Sequence, residues 1–239
     1  MTGVPSSVDA WTSSSSPASG STPPRGTPSS PPCAADHEPR PITLPGLVPA
    51  DPAVGLRDQV DFVTGLVDAA AGPVVLVGHS GGGAVAHGVV DARPDRVAKV
   101  IYVDSGPLGD GNVINDGFES DENGMVPLPD KMIFDDESVA DMDDAVWAAF
   151  AARAIPIPEK VASEKQVLSD PRRYDVPVTV ITSEMSEATL RELIAGGHPY
   201  VAELAAVKDY EIVELPTGHW PMFTKPTELA ALVSAALPR

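Results

Sequence analysis

The stretch Val74-Val75-Leu76-Val77-Gly78-His79-Ser80-Gly81-Gly82 constrains this chain more than any other. Residues 74–77 form an apolar, mostly β-branched run, the pattern of a strand buried on both faces of a sheet. The small-residue run over residues 82–92 reads as a helix. Between the two lies Gly-x-Ser-x-Gly, and so sharp a strand-to-helix turn leaves room only for small residues around the serine. Gly78 and Gly82 are expected to supply that room. Such a turn holds the Ser80 hydroxyl clear of the backbone at the carboxyl edge of the sheet. The following helix aims its N-terminus at the same point, which favours developing negative charge. The backbone N–H of Gly81 then becomes a donor to an oxyanion. The alternative is a glycine-rich turn without chemistry. A phosphate-binding loop is not expected, because its Gly-Lys-Ser/Thr is missing.

The text around this motif alternates. Residues 42–44 are strand-like and end at Pro45-Gly46. Residues 56–71 carry Leu56, Val60, Val63 and Val67 at helical spacing, and Gly72-Pro73 stops the helix. Residues 97–103, 178–182 and 210–215 read as further strands, with helical segments near 186–206 and 226–237. Strands alternating with helices argue for an α/β fold, a mainly parallel sheet with helices on both faces. An insert over about 107–170 interrupts the pattern. Residues 138–152 look helical, with Ser138 as N-cap, and residues 159–168 suggest another helix. Residues 109–146 hold twelve Asp/Glu and a single base, Lys131, which reads as a solvated face or as an acidic lid that disfavours anionic substrates.

A serine nucleophile needs a base. Of the five histidines, His37 lies in a low-complexity segment and His79 sits inside the turn. His87 falls within the helix after the turn, as a packing or surface residue. His198 follows Gly196-Gly197, where a capping or surface role is expected. His219 follows the last strand, in Pro216-Thr217-Gly218-His219-Trp220-Pro221. A loop at the carboxyl end of a strand is where an α/β sheet builds its site, so His219 is the expected base.

With Leu44-Pro45-Gly46, Gly78-His79-Ser80-Gly81-Gly82-Gly83, and Gly218-His219-Trp220-Pro221-Met222 followed by Pro226 and Leu229, residues 41–239 resemble the α/β-hydrolase superfamily. The resemblance is to its small serine esterase and hydroxynitrile-lyase-like branch. It implies an α/β-hydrolase fold with a helical lid, in which a serine attacks a carbonyl, a histidine shuttles the proton and an acid orients the histidine. The usual place for the acid follows the strand at 178–182, where the text reads Ser183-Glu184-Met185-Ser186. A second place follows the strand after the serine turn, and there Asp104 stands. Asp104 is the favoured acid and Glu184 the fallback, although Glu184 could point the wrong way. A turn or cap aspartate is the other account of Asp104. Among the apolar residues of the insert, Met132, Ile133, Phe134, Trp147 and Phe150 suggest an acyl pocket or ordinary core. His79, Trp147, Phe150 and Trp220 are the expected substrate contacts.

Residues 1–40 do not fit. Ser, Pro, Thr and Gly supply 25 of these 40 residues, too polar a text to offset its ordering entropy, so disorder is expected. The resemblance implies an apolar strand here, beside the serine strand, and a loop giving the second oxyanion donor. Neither is legible. One expectation is that residues 1–35 are read in a shifted frame, since Ser/Pro/Arg-rich text is typical of shifted GC-rich coding sequence. Resequencing the coding DNA tests it, and no apolar strand in either other frame sinks it.

Composition narrows the function. The formal charge of −18 repels nucleic acid phosphates and anionic membranes, so neither is an expected partner. The lone Cys33 excludes an internal disulfide and a multi-cysteine zinc site. No metal or cofactor motif appears, and a cytoplasmic location is expected in the absence of a signal-peptide or membrane-spanning pattern. Two functions remain. One is a serine esterase acting on small to medium carboxylic esters through an acyl-enzyme. The other is a non-catalytic binding protein on the same scaffold, favoured by the missing oxyanion strand and disfavoured by the pairing of Ser80 with His219.

Overall fold

The computed structural model describes residues 39–238. The expected disorder of residues 1–40, the shifted frame, Cys33, His37 and the second oxyanion donor therefore fall outside the described residues, except that Pro39 and Arg40 are exposed and irregular. In chain order the elements are α1 (Leu56–Ala69), β1 (Val74–His79), α2 (Gly81–Ala92), β2 (Val97–Val103), β3 (Met125–Val126), α3 (Asp144–Ala151), β4 (Ile157–Pro158), α4 (Glu159–Ser163), β5 (Val178–Thr182), α5 (Glu187–Ala195), α6 (Ala202–Ala206), β6 (Tyr210–Glu214), α7 (Pro221–Thr224) and α8 (Pro226–Ala236). The main sheet has the order β1-β2-β5-β6, and every pair in it is parallel.

Period-two alternation divides the core. Val100 and Tyr102 of β2, with Val178 and Val180 of β5, face a cluster that holds Val60, Val63 and Val67 of α1 and Val85 and Val89 of α2. Ile101, Val103 and Ile181 face the opposite way, against Ala236, Leu229 and Val233 of α8. The sheet thus has helices on both faces. The helical spacing read in residues 56–71 corresponds to α1, whose buried side includes Leu56, Val60, Val63 and Val67. His87 of α2 is buried, as a packing residue would be. Its ring bonds the Tyr102 hydroxyl at 3.0 Å and the Glu203 carboxylate at 3.0 Å. Arg173 reaches the same carboxylate at 2.7 Å, so α2, β2 and α6 share one ionic network.

Two sequence expectations fail at the start of the sheet. β1 is not buried on both faces, and Val77 is 53% exposed. The Ser80 N–H donates to the Val103 carbonyl at 3.3 Å, so the even-numbered backbone groups of this strand face β2. Those of Val75 and Val77 face the other side, where no strand stands among the described residues. A parallel strand is enclosed only when flanked on both sides, and β1 has one described neighbour. Residues 42–44 form no strand for the same lack of a described partner, although Leu44 and Leu47 are buried and Gln59 Nε2 donates to the Pro45 carbonyl at 2.9 Å.

The segment between β2 and β5 carries the antiparallel pair β3–β4, the short α3 and α4, and long turns. The helix expected from Ser138 begins later. Asp143 is the N-cap of α3 and accepts from Ala145 and Val146 at 2.9 and 2.8 Å, while Asp141 at φ +63 prevents a continuous helix from Ser138. The helix expected over 159–168 ends at Ser163. The segment near 186–206 is broken at Gly196-Gly197, where Gly197 has φ +65, and His198 Nδ1 caps the next turn by accepting from Tyr200 at 3.2 Å. No helix among the described residues is long and apolar enough to cross a membrane.

Candidate active site

Ser80 sits between β1 and α2 at φ +50, ψ −126, a conformation that a non-glycine residue holds only when its surroundings enforce it. The enforcement is local. Its N–H is tied to β2, its carbonyl accepts from the Gly83 N–H at 2.8 Å and from the Ser105 hydroxyl at 2.6 Å. A Cβ at Gly78 would stand 2.6 Å from the Gly82 carbonyl oxygen, so the turn requires glycine there. At Gly82 a Cβ meets no described atom within 4 Å, which corrects the expectation that both glycines make room. The second crowded glycine is Gly83, whose Cβ would run into Ser105 and the Tyr102 ring. Gly78→Ala is therefore expected to lose soluble, folded protein, while Gly82→Ala keeps its yield and thermal midpoint. Thermal unfolding of the purified variants checks both.

His219 lies in the loop after β6 and is 2% exposed. Its Nε2 stands 2.9 Å from Ser80 Oγ, and its Nδ1 stands 2.6 Å from Asp104 Oδ2. Asp104 directly follows β2, at φ +41, a left-handed conformation that aspartate tolerates better than most residues. Its other oxygen accepts from the backbone N–H groups of Ser183 and Glu184 at 2.7 and 3.1 Å. Because β5 neighbours β2 in the sheet, the loops that follow them meet, and Glu184 also reaches His219. Glu184 Oε2 is 3.1 Å from His219 Nδ1 and Oε1 accepts from the Ser138 hydroxyl. The sequence expectation set these two acids as alternatives; both lie within reach of one ring nitrogen.

His219 is held from behind as well. Its N–H donates to the Ser138 carbonyl at 2.8 Å, and the Gly218 N–H to the Ala140 carbonyl at 3.2 Å. His79 Nε2–H donates to the His219 carbonyl at 2.6 Å, and the two rings are 4.8 Å apart. His79 thus stands against the main chain of His219. Trp220 packs edge-on against the His219 ring at 5.2 Å. It is fully buried in an aromatic cluster with Phe134, Trp147 and Phe150. Phe150 is likewise buried, whereas Trp147 and Phe134 keep partial exposure. Met132 and Ile133, in the turn at 131–133, are 91% and 69% exposed and so belong to no ordinary core.

Burial would lower the His219 pKa, but hydrogen bonds to Asp104 and Glu184 and their charge outweigh it, and the group is pushed up to about 10. For Asp104, burial works toward a higher pKa, yet the bond to His219 and the charge beside it hold the carboxyl below its usual range. Asp104, Glu184 and His219 also each offer an atom of the kind that ligates metals. The 2.6 Å between His219 Nδ1 and Asp104 is a charge-assisted hydrogen-bond length. Two tetrahedral ligands of one zinc ion would stand roughly 3.3 Å apart. The geometry fits a shared proton better than a cation.

A serine, a buried histidine and a carboxylate converge on loops at the carboxyl ends of parallel strands, with a helix N-terminus beneath the serine. That arrangement belongs to a class of α/β enzymes, and comparison with known proteins places the chain within it. Residues 21–232 match the model of the alpha/beta hydrolase family, and the chain belongs to that family. It is 30% identical over 188 residues to Lipase LipV of Mycobacterium tuberculosis, covering 70% of this chain and 69% of the lipase. An extracellular alpha/beta-hydrolase from a Paenibacillus species shares the fold with a TM-score of 0.62 at 21% identity, covering 79% of this chain and 82% of that one. A methylesterase from Arabidopsis does so with a TM-score of 0.60 at 16% identity, covering 82% and 85%.

Proposed function

We propose that this chain is a serine hydrolase that cleaves small to medium carboxylic esters through an acyl-enzyme. The observation that carries the reading is the relay from Ser80 Oγ through His219 to Asp104, with links of 2.9 and 2.6 Å. With its Nδ1 proton held by carboxylate, His219 presents Nε2 as an acceptor to the serine hydroxyl. Ser80 Oγ attacks the ester carbonyl and its proton passes to Nε2. The carbonyl oxygen becomes an oxyanion beside the Gly81 N–H, which as the first residue of α2 has no intrahelical acceptor. The imidazolium returns the proton to the departing alcohol as the carbon–oxygen bond breaks. Water then attacks the acyl-serine by the same route, releasing the acid and restoring Ser80.

The aromatic cluster beside His219 gives the acyl side an apolar wall. Trp147 and Phe134 are placed to touch substrate, while Phe150 and Trp220 support them from behind. His79 positions the loop of the base rather than the ester. The lipase relative and the methylesterase neighbour agree with ester chemistry.

Incubation with a fluorophosphonate, followed by peptide mass analysis, tests the reading. The expected result is a single adduct on Ser80, together with release of p-nitrophenol from the acetate and butyrate esters. A folded chain that neither labels nor turns over these esters identifies a binding protein instead.

A further inference from the structure

We propose that Glu184 is a second positioning residue for His219, acting on Nδ1 together with Asp104 and not in place of it. The inference rests on the reading of Ser80 and His219 as nucleophile and base. Nδ1 carries one hydrogen, and two carboxylate oxygens compete for it at 2.6 and 3.1 Å. Each acid uses its second oxygen to anchor itself. Asp104 takes two backbone N–H groups from the loop after β5, and Glu184 takes the Ser138 hydroxyl from the insert. Their exposure differs. The Asp104 side chain is 6% exposed and that of Glu184 is 20% exposed, so Glu184 is the outer member of the pair.

The arrangement has a chemical consequence. During turnover the ring becomes an imidazolium, and with its side chain only 3% exposed it feels nearby negative charge strongly. Asp104 supplies one such charge and Glu184 a second. Removal of Asp104 alone therefore leaves Nδ1 with an acceptor already in place, so the ring keeps its tautomer. Ser138 adds a mechanical link, because its hydroxyl holds Glu184 while its carbonyl holds the His219 N–H. One residue of the insert thus fixes both the base and its outer acid.

Asp104 comes from the end of β2, Glu184 from the end of β5, and His79 from the turn that carries Ser80. Tyr200, 64% exposed, lies near enough for the charges of Asp104 and Glu184 to act on its phenol. On the insert, Asp141 is paired with Lys225 at 3.4 Å and half-exposed, and it serves as a control acid.

The test follows the ring nitrogens of His219 by NMR across pH in the full chain and in Glu184→Gln, Asp104→Asn, the double variant and Asp141→Asn. Turnover of p-nitrophenyl butyrate is measured on the same samples. Glu184→Gln is expected to lower the His219 midpoint by about one pH unit, and to lower the pH-independent limit of kcat, reached once the ring is neutral, about tenfold with little change in KM. Asp104→Asn is expected to keep a residual rate that the double variant loses by about a further tenfold. Asp141→Asn leaves the midpoint in place. An unmoved midpoint in Glu184→Gln, or equal rates for Asp104→Asn and the double variant, overturns the proposal. If Glu184→Gln does not fold, Glu184→Asp decides. The shorter acid is expected to give a lowered midpoint, and an unshifted one overturns the proposal. The midpoint is read without substrate, so an inactive chain whose midpoint still moves overturns the esterase reading and not the role of Glu184.

Discussion

Replacing Ser80 with Ala is expected to lower turnover of p-nitrophenyl butyrate by about 10⁴- to 10⁶-fold and leave the fold intact. Two physical facts set the size. Ser80 Oγ lies 2.9 Å from His219 Nε2, so alanine removes the hydroxyl held against that nitrogen. Alanine keeps the Cβ that the turn already accommodates at φ +50, so the variant adds no backbone strain. His219→Ala is expected to cost about as much, and the double variant no more than either single change, since nucleophile and base act as one unit. Steady-state rates for the three variants, beside circular dichroism spectra, check this. Separate and additive losses would mean that the two residues do not share a step.

The second large effect is on pH. In the proposed mechanism His219 works only when neutral, and two carboxylates push its pKa up to about 10. Below that value the neutral fraction, and with it kcat/KM, rises about tenfold per pH unit. The rate is therefore expected to climb steadily from pH 6 through pH 8, where a histidine near its ordinary value would already have reached a plateau. A pH profile with a soluble ester checks this, and a plateau reached by pH 8 contradicts it. The same shift affects stability. A histidine whose pKa is raised on folding adds stability that is fully present below about 6.5, declines above that, and is gone once pH passes the folded value. Urea midpoints of the native chain should fall across this window more than those of His219→Ala.

The two effects also distinguish what sequence can say from what it cannot. Ser80 was legible because its turn is local. A strand, a crowded glycine at 78 and a helix start lie within a dozen residues, and sterics alone dictate where the hydroxyl goes. His219 was legible by elimination, from its place after the last strand. The acids were less so. Asp104 and Glu184 are 80 residues apart, and nothing in either segment says that one nitrogen receives both. That follows from the pairing of β2 with β5, which brings the two strand ends together.

Ser138 shows the limit most sharply. Its neighbours made it a helix cap, yet the helix begins beyond Asp143, and Ser138 instead fastens Glu184 and His219. Gly82 and Gly83 changed roles for a similar reason, because Ser105 crowds one and leaves the other open. Val77 read as enclosed and is half exposed, since enclosure depends on which strands stand beside it. By itself, then, the sequence determined the alternation of strands and helices, the serine turn and the histidine loop, because each rests on periodicity or sterics within a short span. Only the tertiary structure decided how two carboxylates share one imidazole and which residues of the insert hold them, because those contacts depend on strand order and loop approach across the whole sheet.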